Sequence, residues 1–153
     1  MGIFDSKKKR EARMMAPQWL RIMHESANIA ATTTKPDVFF SRIDLMQDML
    51  FRLASVERYV KFSDLKPSEL LSRMPSDRQE MVCNFIQRLY NETQKKIASL
   101  STEKARVGRA NAYIDTLNLY ASYMDSYAIS LANNCHSALL RQAQTPAGQK
   151  IPN

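Results

Sequence analysis

Two histidines, two cysteines and a run of basic residues are the side chains in this 153-residue chain whose types could support chemistry, and their spacing decides how much. His24 precedes Glu25, but no second histidine stands at the helical step that a zinc-protease HExxH helix requires. Neither His24 nor His136 has a glutamate three residues before it, so the Glu-x-x-His pattern of di-iron bundles is missing as well. No P-loop, dinucleotide fingerprint, nucleophile elbow or Cys-x-x-Cys pair occurs. Cys83 and Cys135 each fall on an apolar position of a helical pattern, as reduced core thiols of a cytoplasmic protein would, and a buried thiol is inert as a nucleophile. Cys135 and His136 are adjacent in sequence but project about 100° apart on a helix. The expectation is a non-catalytic protein with no metal, no cofactor and no small-molecule substrate.

Charge is the more informative chemistry. The formal net charge is +7, and it is concentrated in two places. Residues 1–13 hold five basic side chains against two acidic ones, and residues 88–109 hold six against two, while the rest of the chain is balanced. Lys7, Lys8, Lys9 and Arg10 in the first stretch are therefore candidate anion-binding residues. Arg88, Lys95, Lys96, Lys104, Arg106 and Arg109 are the candidates in the second. A solvated, solubilising face is the plain alternative for both.

The amino terminus adds a motif with a mechanism. Met1-Gly2-Ile3-Phe4-Asp5-Ser6 fits the myristoylation pattern, and Lys7 to Arg10 follow as the polybasic second signal that a single acyl chain needs for stable anchoring. A secretory signal is not expected, because Glu11, Arg13, Pro17 and Arg21 stand where an apolar run would be. No run of about 18 uncharged apolar residues suits a membrane span. Nucleic acid is the other anionic candidate, bound without sequence readout by the stretch from Arg88 to Arg109, since no helix-turn-helix, homeodomain or aromatic stacking motif appears.

The elements that must carry these residues read as helices throughout. Gly2, Gly108 and Gly148 are the only glycines, so the chain from Ile3 to Val107 lacks the residue that tight hairpins favour. An all-α antiparallel bundle of about four helices is expected, as a domain over residues 17–142 between a basic, partly disordered arm (1–16) and a disordered tail (143–153). Pro17 suits the first turn of the first helix, whose stripe is Leu20, Met23, Ala27 and Ala30, widened by Trp19 and Ile22. The second helix opens at Thr34-Lys35-Pro36-Asp37 and carries Phe39, Ile43, Met46, Leu50, Leu53 and Val60, with Glu57 occupying one core slot. Residues 62–75 read as a long connection with a short helix near Ser68 to Arg73. The third helix starts at Ser76, with Gln79 at capping-box spacing, and breaks near Ser99 to Thr102, where Ser101 or Thr102 can cap a fourth.

The fourth helix shows the strongest period in the chain. Val107, Ala110, Ile114, Leu117, Ala121, Met124, Ala128, Leu131, Cys135 and Ala138 recur at alternating steps of three and four, a coiled-coil-like seam. Continued to Arg141, such a helix would be about 58 Å long at about 1.5 Å per residue. It would outrun its neighbours, which points to self-association or a protein partner along its free end. Tyr113, Tyr120, Tyr123 and Tyr127 on its flanks are candidate partner-docking residues, with core packing as the plain alternative.

The segment Thr32-Thr33-Thr34-Lys35-Pro36-Asp37-Val38-Phe39-Phe40-Ser41-Arg42, with the later Asn84-Phe85-Ile86-Gln87-Arg88-Leu89-Tyr90, resembles a group of bacterial helical proteins that carries no assigned activity. The similarity covers roughly residues 24–110. It implies a bacterial, helical protein, and a bacterial origin argues against amino-terminal acylation while leaving a basic, membrane-proximal arm open. The sequence thus leads to a cytoplasmic, non-catalytic interaction or adaptor protein with basic surfaces for an anionic partner. Two alternatives stand beside it: a peripheral membrane protein attached through residues 1–13, and a nucleic-acid-binding accessory protein using residues 88–109.

Overall fold

The computed structural model describes residues 3–63 and 66–145, with side chains from Ser6 onward, and is helical with no strand among them. Five α-helices are present: α1 (Ile3–Thr32), α2 (Pro36–Ser55), α3 (Pro67–Ala98), α4 (Glu103–Asn118) and α5 (Ser126–Gln144). Single 3-10 turns follow α2 at Glu57–Tyr59 and α4 at Ala121–Tyr123. The chain forms two compact units, one from residues 1–32 and 37–78, the other from 33–36 and 79–153. α3 supplies its first part to one unit and its remainder to the other.

In the first unit, α2 runs antiparallel to α1 and to the start of α3. The Arg52 guanidinium lies over the Trp19 ring, 5.9 Å from its centroid, and Arg78 donates to Gln47 Oε1 at 3.0 Å. α1 is one continuous helix from Ile3, so the stretch expected as an arm is helical, and Pro17 is internal instead of opening the helix. An internal proline costs about 3 kcal/mol because the carbonyl four residues back, here that of Arg13, loses its donor. The seam explains why the helix nonetheless continues. Ala12 and Ala16 are buried in line with Met23, Ser26 and Ala30, and their small side chains let the 3-10 turn come close to α1. α2 buries Phe39, Phe40, Ile43, Met46, Met49, Leu50 and Leu53, a stripe wider than a bare seam, and Phe39 and Phe40 meet edge to face at 5.0 Å.

α3 begins at Pro67, where proline is preset for a first turn, and passes through Pro75 without ending. Ser76 is therefore an interior residue and not the cap that its spacing suggests. The true start is secured from a distance: Glu57 accepts from the Ser68 backbone N–H at 3.0 Å and from the Ser68 hydroxyl at both carboxylate oxygens. That contact accounts for a carboxylate in a core slot of the α2 pattern, since α2 ends at Ser55 and Glu57 turns away to cap the next helix.

The second unit is an up-down-up arrangement of α3, α4 and α5. The break between α3 and α4 lies where expected, with Thr102 Oγ1 accepting from Ala105 N at 3.2 Å. The single long final helix does not form. The chain turns at Leu119–Asp125, and Asp125 caps α5 by accepting from Ala128 N at 2.8 Å. α4 and α5 have 16 and 19 residues and pack against each other, so the seam folds back on itself. Ala121 is exposed at the turn, and α5 buries Ala128, Ala132, Cys135, Leu139 and Ala143 in place of Leu131 and Ala138. The overhanging end that suggested self-association is thereby lost. α5 runs on to Gln144, past the expected end at Arg141, with Ala143 fully buried. Met1 and Gly2 of the acylation pattern, and tail residues 146–153, lie outside the described residues.

Candidate functional site

α1 presents two faces beside its buried seam. Lys8, Ala12, Met15 and Trp19 recur at steps of three and four, and with Glu11 and Met14 they form one wall of a groove of about 640 Å³. The opposite wall is Ser55, Val56, Arg58 and Tyr59, from the end of α2 and the 3-10 turn. Met14 is 70 % exposed, and Phe51, one turn before Ser55 on α2, is 55 % exposed. Arg58 stacks over the Tyr59 ring at 4.7 Å, and Arg52, paired with Asp48 at 3.4 Å, covers Trp19. Apolar and aromatic surface is thus bordered by guanidinium and ammonium groups, with Glu11 as the acidic residue of the lining.

On the other face of α1, Arg13, Ala16, Pro17, Leu20, Met23 and His24 line a smaller groove of about 280 Å³ with Val60–Ser63 and Leu70. Its rim carries Arg13, Lys61 and His24. The Glu57 clamp matters to both grooves, because it anchors the turn that supplies their second walls. Bonding from the Ser68 backbone, opposed by partial desolvation and aided by the Ser68 hydroxyl and Lys66, holds the Glu57 carboxyl below its ordinary range.

The basic residues singled out from sequence part company. Lys7, Lys8 and Arg10 are exposed on α1 and Lys9 is half-buried, and Lys8 is in the larger groove. In the second stretch Lys95, Lys104 and Arg109 are exposed, while Lys96 pairs with Glu92 at 3.5 Å. Arg106 is not a surface cation: it is 8 % exposed and donates to the carbonyls of Ala143 at 2.9 Å and Leu100 at 3.2 Å. Arg88 is half-buried, donates to Thr33 O at 3.1 Å and covers Phe85 at 5.7 Å, and burial lowers its pKa. Arg106 shares the period of Ala110, Tyr113 and Leu117, a signal that charge alone conceals.

The tyrosines divide in the same way. Tyr113 is buried and donates to Ile86 O at 3.2 Å, and burial raises its pKa, so it is a core residue and not a docking one. Tyr120 and Tyr123 meet edge to face at 6.1 Å beside the α4–α5 turn, next to Leu119 (80 % exposed) and Tyr127 (63 % exposed). Met14, Arg52, Arg58 and Tyr59 belong to no motif or charge run that marks them in the sequence. By period alone Arg58 and Tyr59 continue the second helix, and only the turn at Glu57 brings them to α1.

Nucleophilic chemistry finds little support. Burial, with the Asp125 charge adding to it, pushes the Cys83 thiol up, and burial does the same to Cys135 despite its bond with Tyr113. His24 lies exposed on the smaller groove, and His136 Nε2 is 3.0 Å from Asn111 Oδ1. Among the described residues no three His, Cys, Asp or Glu side chains gather as a metal site would require, and no helix is long and apolar enough to cross a membrane. Comparison of the chain with family models, curated proteins and solved structures returned no match.

Proposed function

We propose that the chain is a non-catalytic docking protein whose first unit holds an anionic partner on the face between the amino-terminal half of α1 and the turn after α2. The observation that carries this reading is the grouping of Met14, Trp19 and Tyr59 with Lys8 and Arg58 around one groove. Exposed apolar area supplies affinity, and the flanking cations supply steering and selectivity for negative charge. A nucleic-acid role for residues 88–109 draws less support, because Arg88 and Arg106 are spent on backbone carbonyls. Attachment to an anionic membrane is the second reading, favoured by aromatic rings next to basic side chains.

Binding to polyglutamate beads at low salt tests the proposal. The pair Lys8→Glu and Arg58→Glu is expected to abolish retention, while Lys95→Glu with Lys104→Glu leaves it nearly unchanged. Loss of retention only in the second pair would move the site to the junction of α3 and α4.

A further inference from the structure

We infer that the groove of about 640 Å³ beside α1 takes an acidic amphipathic α-helix of a partner protein, an assignment that rests on the first unit being the docking face. Shape is the first argument. The apolar groups line a trough between α1 and the 3-10 turn, and a trough receives a rod, whereas a bilayer is met by a flat or convex apolar ridge. The floor is the second. Ala12 is buried there, and Met14 and Met15 are unbranched thioethers that repack around differing side chains. Surfaces of that composition accept the apolar anchors that recur every three to four residues on a helix.

Charge complementarity specifies the rest. Lys8 and Arg58 stand on opposite walls with Glu11 as the acidic member of the lining, and exposed Lys7, Arg10 and Arg13 extend the positive field along α1. A helix with carboxylates flanking its apolar stripe meets a cation on either side. A basic helix would meet repulsion on both.

Trp19 makes the test direct, because it is the single tryptophan of the chain and lines the groove. The full chain is titrated with a tryptophan-free peptide of about 18 residues, five turns of helix, with leucines at helical core spacing and glutamates elsewhere. Parallel titrations use a scrambled peptide of the same composition and vesicles of phosphatidylglycerol with phosphatidylcholine. The expected result is a saturable change in Trp19 emission at one peptide per chain, with affinity lowered about tenfold by either Met15→Gln or Arg58→Gln.

Equal binding of the scrambled peptide would overturn the helical occupant. A response to vesicles alone would do so in favour of a lipid surface, while leaving the anionic docking face intact. An emission change on diluting the protein by itself, with sedimentation showing a dimer, would assign the groove to a second copy. Silence toward every anionic probe would remove both the inference and the docking face.

Discussion

The Arg106 guanidinium donates from Nε to the carbonyl oxygen of Ala143 at 2.9 Å, tying the first turn of α4 to the last turn of α5. A second donation to Leu100 O at 3.2 Å reaches the carbonyl just beyond the end of α3. Helix ends leave carbonyls without partners and carry partial negative charge, so a buried cation there satisfies hydrogen bonds and charge together. Arg106→Met keeps the length of the side chain and removes every donor. It is expected to lower unfolding stability by about 1.5–3 kcal/mol, read by urea denaturation, because hydrogen bonds to charged groups are worth that much. Retention on polyglutamate should not change, which separates this internal clasp from a surface anion site.

The buried and exposed members of the tyrosine set should respond in opposite ways. Tyr113→Phe removes the hydroxyl that bonds Ile86 O and Cys135 in a packed interior and is expected to cost about 0.5–1.5 kcal/mol. Tyr127→Ala and Leu119→Ala, at positions largely open to solvent, should each leave thermal stability nearly unchanged. Calorimetric melts of the three variants check both halves. A Leu119→Ala loss as large as that of Tyr113→Phe would show that the α4–α5 turn is structural and not merely exposed.

What was legible in the sequence follows local chemistry closely. Pro36 and Asp37 mark the start of α2, and Thr102 marks the start of α4, because a cap or a preset φ acts on its own turn. The misreadings arise where a distant partner decides. Pro17 and Pro75 look like boundaries, but buried seams carry both helices through them. Ala121 and Met124 preserve a perfect period across a place where the chain turns, since period records which residues are apolar and not whether the backbone between them is straight. The proposed docking face is half visible in the sequence. Lys8 belongs to a conspicuous basic run, but Arg58 reaches the same groove only through a turn fixed by Glu57 and Ser68, eleven residues apart.

That turn supplies the remaining prediction. Glu57 is stabilised as the carboxylate by Ser68 and Lys66, so its native pKa lies below its ordinary value of 4.5. A depressed carboxylate pKa adds stability above the unfolded value, and that stability is lost as pH falls through the native one. Glu57→Gln keeps the shape but gives up the charge, and it should melt at a lower temperature than the parent at pH 7. The gap should close on acidification below 4.5, as the parent carboxylate becomes protonated too. Thermal melts of both proteins across the acid range test this, and a gap that persists undiminished at the acid end would mean that the carboxylate charge is not what holds α3 in place. Because Val56, Arg58 and Tyr59 form a groove wall, Glu57→Gln should also weaken capture by polyglutamate at pH 7 while Lys8 and Arg58 remain unaltered.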